Sequence, residues 1–193
     1  MRAVLALCVI FGLWQWWQNR PAPYSPGVAA PEEPVQTVLS GNSEPFTYQN
    51  FTLTPVADFR IRAKVLGIEN YYTGKEASLS PVDLALGWGA MSDDKVLSHI
   101  EITQRNRFYY WRLEQFPIPR RQIETSSGNM HMIPANEAVS DALDDLSEGM
   151  VVTLSGRLVN AVDGNWKWNS SLSRSDTGKG ACELIWVESV SFY

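Results

Sequence analysis

The chain has 193 residues, with 16 Lys and Arg against 21 Asp and Glu, a net charge of −5. That length suits one domain of ordinary size plus an extension, and the acidic balance weighs against duplex DNA, whose binding needs a basic face to replace counterions. Cys8 and Cys182 are the only cysteines, so no internal disulfide framework can form; C-x-x-C and H-x-x-x-H spacings are absent, and no metal or cofactor is expected.

The chain opens with an uncharged apolar run from Ala3 to Trp14, closed by Trp16 and Trp17. It approaches the roughly 20 residues a spanning helix needs, and tryptophan favours the membrane–water boundary. Residues 1–17 are therefore expected to be a transmembrane anchor. A cleaved signal peptide is the rival reading, but the run meets Gln18-Asn19-Arg20-Pro21 rather than small residues. Arg2 lies before the run, and Arg20 is the only Lys or Arg between it and Arg60. That bias puts the N-terminus inside and exports the body. The expected setting is a bacterial inner membrane, crossed once, with the C-terminal domain in the periplasm.

Residues 18–45 carry Pro21, Pro23, Pro26, Pro31, Pro34 and Pro45 among Ala, Gly, Ser and Glu, the composition of an extended linker. A single β-rich domain over 46–193 follows. Phe46 to Leu53 reads as a short strand. From Phe59 to Val65 apolar and basic residues alternate, a half-buried strand that slips at Gly67 and runs on to Tyr72. Ser80-Pro81-Val82-Asp83 looks like a helix start, giving one or two helical turns up to Gly87. A second short turn is expected from Ser92-Asp93-Asp94 to Leu97.

His99–Gln104 and Arg107–Leu113 read as two strands joined at Arg105-Asn106. Residues 115–135 read as irregular. Asn136 caps a helix through Ser147, with Ala138, Val139, Ala142, Leu143 and Leu146 on one face. Strands follow at Met150–Val162, at Trp166–Trp168 after an Asp163-Gly164 turn, and at Glu183–Phe192. Strand, strand, strand, helix, strand, strand is the order of a small antiparallel Greek-key barrel of the OB-fold kind, with the 80–98 turns as an insertion between the first two strands. An antiparallel α+β sandwich is the alternative.

The aromatic hairpin is the strongest candidate binding surface. Phe108, Tyr109, Tyr110 and Trp111 are consecutive, so both faces of that strand carry rings. Arg105, Arg107 and Arg112 flank them. Rings stack on bases or sugars, and arginine meets phosphate or carboxylate. A second candidate is a functional loop of His131, Asp176 and Cys182, in which Cys182 or Asp176 would work with His131 in an envelope hydrolase.

Ser80–Gly89, residues 129–136 and Asp176–Glu183 resemble segments of a group of bacterial envelope proteins with an N-terminal anchor and no assigned function. The resemblance spans about residues 58–190 and carries no site or activity to this chain. The function expected is a non-enzymatic, membrane-anchored binding or assembly module with a protein partner in the envelope.

Overall fold

The computed structural model describes residues 8–14, 26–41, 43–173 and 181–192. Within it the chain is mainly β with minor α. Residues 8–14 are helical (α1) and exposed. Among the described residues no helix is long and apolar enough to cross a membrane, and the stretches on both sides of α1 lie outside them.

One strand organises the domain. β3 (Phe51–Asn70) is twenty residues long, and the alternation seen at Phe59–Val65 extends almost to its start: Phe51, Leu53, Ala57, Phe59, Ile61, Ala63 and Val65 are all buried. β3 pairs antiparallel with β4 (Val82–Gly87), which pairs antiparallel with β7 (Ser127–Pro134). β7 runs parallel to β10 (Glu183–Phe192), β10 pairs antiparallel with β8 (Val151–Asp163), and β8 pairs along β3 from Thr52 to Lys64. The hydrogen-bonded path thus returns to its start. The bend expected at Gly67 is there, as a register shift between Val65 and Gly67.

Inside this ring lies one apolar cluster, built from Ile61, Leu84, Leu86, Met130, Met132, Leu154, Leu158 and Ile185 among others. α5 (Glu137–Asp144) adds Val139 and Leu143, with Leu146 just beyond it; Ala138 on the expected apolar face is exposed. Asn136 caps α5 as expected, its side chain accepting from the Val139 N–H at 3.0 Å.

Four expectations are corrected. Phe46–Leu53 is not one strand: β2 (Phe46–Tyr48) turns at Gln49-Asn50 and pairs back on β3. Residues 82–87 are not helical turns. The helix is α2 (Lys75–Leu79), and Pro81 precedes strand β4, in which Val82, Leu84 and Leu86 face the core while Asp83 and Ala85 face the other way. The hairpin β5 (Glu101–Arg105) and β6 (Phe108–Arg112) is a separate two-stranded sheet rather than two strands of the ring. The 115–135 stretch contains α4 (Arg120–Thr125) and all of β7. The short turn at 93–97 does form, as α3 (Asp94–Leu97) capped by Asp93.

The proline-rich segment also packs on the domain. Ala30 is fully buried, and its N–H donates to Ser92 Oγ at 2.9 Å. Val35–Val38 forms β1 along the edge of β3.

Candidate binding site

The hairpin turn falls at Asn106-Arg107, one residue later than expected, with φ of 53° and 70°. A two-residue turn with both centres left-handed matches the twist of its strands, and Asn suits the first position. Arginine at the second has no such excuse, since a Cβ is strained there. Its side chain supplies the compensation. The Arg107 N–H donates to Tyr71 Oη at 2.9 Å, and the guanidinium lies 3.6 Å from the centre of the Tyr71 ring. Nη1 donates to Asp83 Oδ1 at 2.7 Å, and the Trp168 ring stands at 5.5 Å.

Asp83 is the centre of this cluster and is fully buried. A buried carboxylate is costly unless paired and hydrogen-bonded. Besides Arg107 it meets His131 Nδ1 at 2.9 Å and accepts from Asn129 Nδ2 at 3.3 Å. Strand geometry explains the meeting: Asp83 and His131 are directly paired on β4 and β7, and Asn129 lies two residues along on the same face. Asn129 also donates to the Arg107 carbonyl at 3.0 Å and accepts from Gln104 Nε2 at 2.7 Å. His131 lies against Trp168, ring centres 4.6 Å apart. The hairpin is thus pinned across the outer face of β4 and β7, with Arg107 as the pin.

Beside the pin, between hairpin, barrel end and α4, lies a cavity of about 350 Å³. Trp88, Phe108, Tyr109, Tyr110 and Trp111 are among the residues that line it, together with Gly128, Asn129, Cys182 and Glu183. Glu183 heads the row that continues inward as Ile185 and Val187, and only 4% of it is exposed. Gly128 keeps that side open: a Cβ there would meet only Glu183 Oε2, at 3.9 Å. Tyr109 reaches in and bonds through its hydroxyl to Ser127 Oγ at 3.1 Å. Burial pushes the Tyr109 phenol above its ordinary pKa; the Ser127 bond works against this, and Cys182, Glu124 and Glu183 add to the rise. At the mouth Arg120 pairs with Glu124 at 2.8 Å and stacks over Trp111.

The hairpin residues singled out in the sequence therefore separate. Tyr109 and Trp111 face the body, Trp111 packing with Met91, Ile100 and Ile123. Tyr110 faces outward under the Arg105 guanidinium, 5.0 Å from its ring centre. Arg112 pairs with Glu101 on the exposed side. Arg107 is committed to Asp83 and only 11% of its side chain is exposed. In the second candidate set, His131 is turned to Asp83, whereas the Cys182 thiol points at the Arg107 carbonyl, 3.8 Å away. Asp176 lies outside the described residues. Among the described residues no group of three or more His, Cys, Asp and Glu is placed to hold a metal ion.

Asp83, Trp88, Gly128 and Glu183 were missed as site residues. The signal for Asp83 is an acid inside an apolar run, hidden by the Ser80-Pro81 helix-start pattern. Glu183 begins an apolar strand, an unusual place for a buried carboxylate. No family model, curated protein or solved structure matches the chain.

Proposed function

We propose that this chain is a membrane-anchored, extracytoplasmic binding module whose ligand enters the cavity between the β5–β6 hairpin and the barrel end. One observation carries the reading: a ring-lined hollow of about 350 Å³ with a buried carboxylate among its lining residues. That volume lies in the range of small-ligand pockets, and the mixture of aromatic walls with a few polar groups is typical of them. The anchor, a single pass through a bacterial inner membrane with the body in the periplasm, is supported by the apolar, tryptophan-ended run before Arg20. A protein partner in the envelope belongs to the same proposal.

The barrel is assigned to the OB type. Support comes from the five-strand path β3–β4–β7–β10–β8 returning to β3, its single parallel pair β7–β10, and the placing of α5 between β7 and β8. In that type the face of the second and third strands is a common ligand surface. Here the corresponding face, on β4 and β7, is covered by the pinned hairpin, which moves the open site to the cavity beside it.

The test is ligand retention. Gly128→Val narrows the cavity: a Cβ there meets only Glu183 Oε2, at 3.9 Å, and the change removes a glycine from a strand; circular dichroism and Tm check that the variant is folded. Protein purified from membranes is analysed by native mass spectrometry for co-purifying small molecules. A mass retained by the wild type and absent from Gly128→Val is the expected result; identical spectra from both, or none retained by either, overturns the reading. A C-terminal reporter active only in the cytosol overturns the anchor and its orientation.

A further inference from the structure

Resting on that reading, we infer that the cavity takes its ligand from the bilayer: a single-chain amphiphile of the outer leaflet, whose apolar part enters the hollow. Two observations carry this, the place where the N-terminal strap docks and the short length of chain before it. The strap is fixed from Gly27 onward. The Gly27 N–H donates to Asp93 Oδ1 at 3.0 Å, the Ala29 N–H to the Ser92 carbonyl at 3.4 Å, and Arg62 donates to the Ala29 carbonyl. Ala30 is fully buried, and its carbonyl accepts from the Gly89 N–H at 2.8 Å. Gly89 directly follows Trp88, which lines the cavity. The Trp88 N–H in turn donates to the Ser126 carbonyl at 2.9 Å, one residue before Ser127 of the same lining. The strap therefore meets the domain beside the cavity wall.

Nine residues, 18–26, separate the tryptophan-ended apolar run from Gly27. Ten Cα steps reach at most about 36 Å. A compact domain of this size is about 40 Å across, so about 60 Å of surface separates its two poles. With residues 1–17 in the bilayer, the tether is too short to wrap round to a far side. The strap, and the cavity wall with it, lies in the half of the domain turned to the lipid. The side chains there suit that position. Tyr110, a lining residue, is 42% exposed, and Phe116, which packs edge-on against the lining residue Trp111, is 52% exposed. Val28 in the strap is 49% exposed. Arg120 gives its Nε–H to Glu124, and the other N–H groups of its guanidinium suit a headgroup phosphate. A hollow of about 350 Å³ is at the small end of ligand pockets, which fits one chain rather than two.

The test uses the ¹⁵N-labelled full chain in nanodiscs of phosphatidylethanolamine and phosphatidylglycerol. The probe is lyso-phosphatidylcholine with a nitroxide at its chain end. In the bilayer that nitroxide lies near the midplane, about 15 Å below the hydrocarbon edge, so it reaches the domain only when the chain leaves the membrane. The Trp88 indole N–H and the Gly128 amide are expected to lose intensity that the Asn50 amide keeps. Asn50 precedes β3, whose other half meets β4 beside Trp88, at Lys64–Gly87. Gly128→Val is expected to abolish the loss at Trp88. A spacer of about 30 Gly and Ser residues after Arg20 roughly doubles the r.m.s. reach of the tether and is expected to reduce the loss at least about twofold. Equal loss at all three groups, no loss at any, or a loss at Trp88 that survives Gly128→Val overturns uptake from the bilayer. A loss indifferent to the spacer overturns the membrane-facing placement. Failure of the cavity itself is separately visible: fragments in detergent that shift Gly128 and Trp88, without any nitroxide effect, leave the cavity reading standing and sink this inference alone.

Discussion

Arg107→Ala tests how the site is held open. The Arg107 side chain is 11% exposed and the Asp83 side chain 0%, so their pair at 2.7 Å is buried. Removing one member of a buried pair strands the other charge, at a cost of about 3–5 kcal/mol. Asp83 keeps Asn129 and His131 as partners, which moves the expected loss to the lower end. The stacking on Tyr71 is lost as well, worth about 1 kcal/mol. Alanine is strained like arginine at φ 70°, so no relief offsets these losses. The expected destabilisation is about 4 kcal/mol, or a fall in Tm of roughly 8–16 °C for a chain of this size. Urea denaturation of the wild type, Arg107→Ala, Asp83→Asn and the double variant measures it. In the Asp83→Asn background the arginine is expected to matter less, with a coupling of at least about 1.5 kcal/mol. Amide exchange is expected to quicken in residues 101–112 before the barrel strands. A loss below about 1 kcal/mol, or strict additivity, refutes the pinning.

Two other outcomes follow from the packing. Tyr109 has a raised folded pKa, so its contribution to stability is complete below the unfolded value near about 10 and is lost as pH rises from there toward the folded value. Tyr109→Phe is therefore expected to flatten the fall of Tm above pH about 10, and an unchanged alkaline limb contradicts the burial. Gly156 in β8 faces the Trp186 carbonyl so closely that any Cβ collides with backbone, so Gly156→Ala is expected to cost about 3 kcal/mol in chemical denaturation. An alanine variant as stable as the wild type means β8 and β10 do not approach in this way.

Much of the barrel was legible because its strands bury one face. The alternation at Phe59–Val65, the runs at 150–162 and 183–192, and the Asn136-capped helix each carried a period that burial then enforced. β4 was not legible. Buried on both faces, it lost the polar half of its alternation, and Leu84-Ala85-Leu86 read as helix behind a proline. The hairpin was found as a hairpin but placed in the ring. Local sequence cannot report that residues 82–87 and 127–134 claim the second and third positions beside β3. Within the candidate site, aromatic clustering marks Tyr109 and Trp111, which line the cavity. Nothing nearby in sequence marks Asp83, 24 residues away, as the partner of Arg107.

The most direct measurement follows which groups respond to small molecules. ¹⁵N-labelled protein titrated with a fragment library reports the Gly128 amide and the Trp88 indole N–H from inside the cavity, and the Arg105 and Arg112 amides from hairpin positions outside it. Shifts concentrated at Gly128 and Trp88 and abolished by Gly128→Val are the expected result. Shifts confined to Arg105 and Arg112, with Gly128 and Trp88 unmoved, contradict a ligand site under the hairpin.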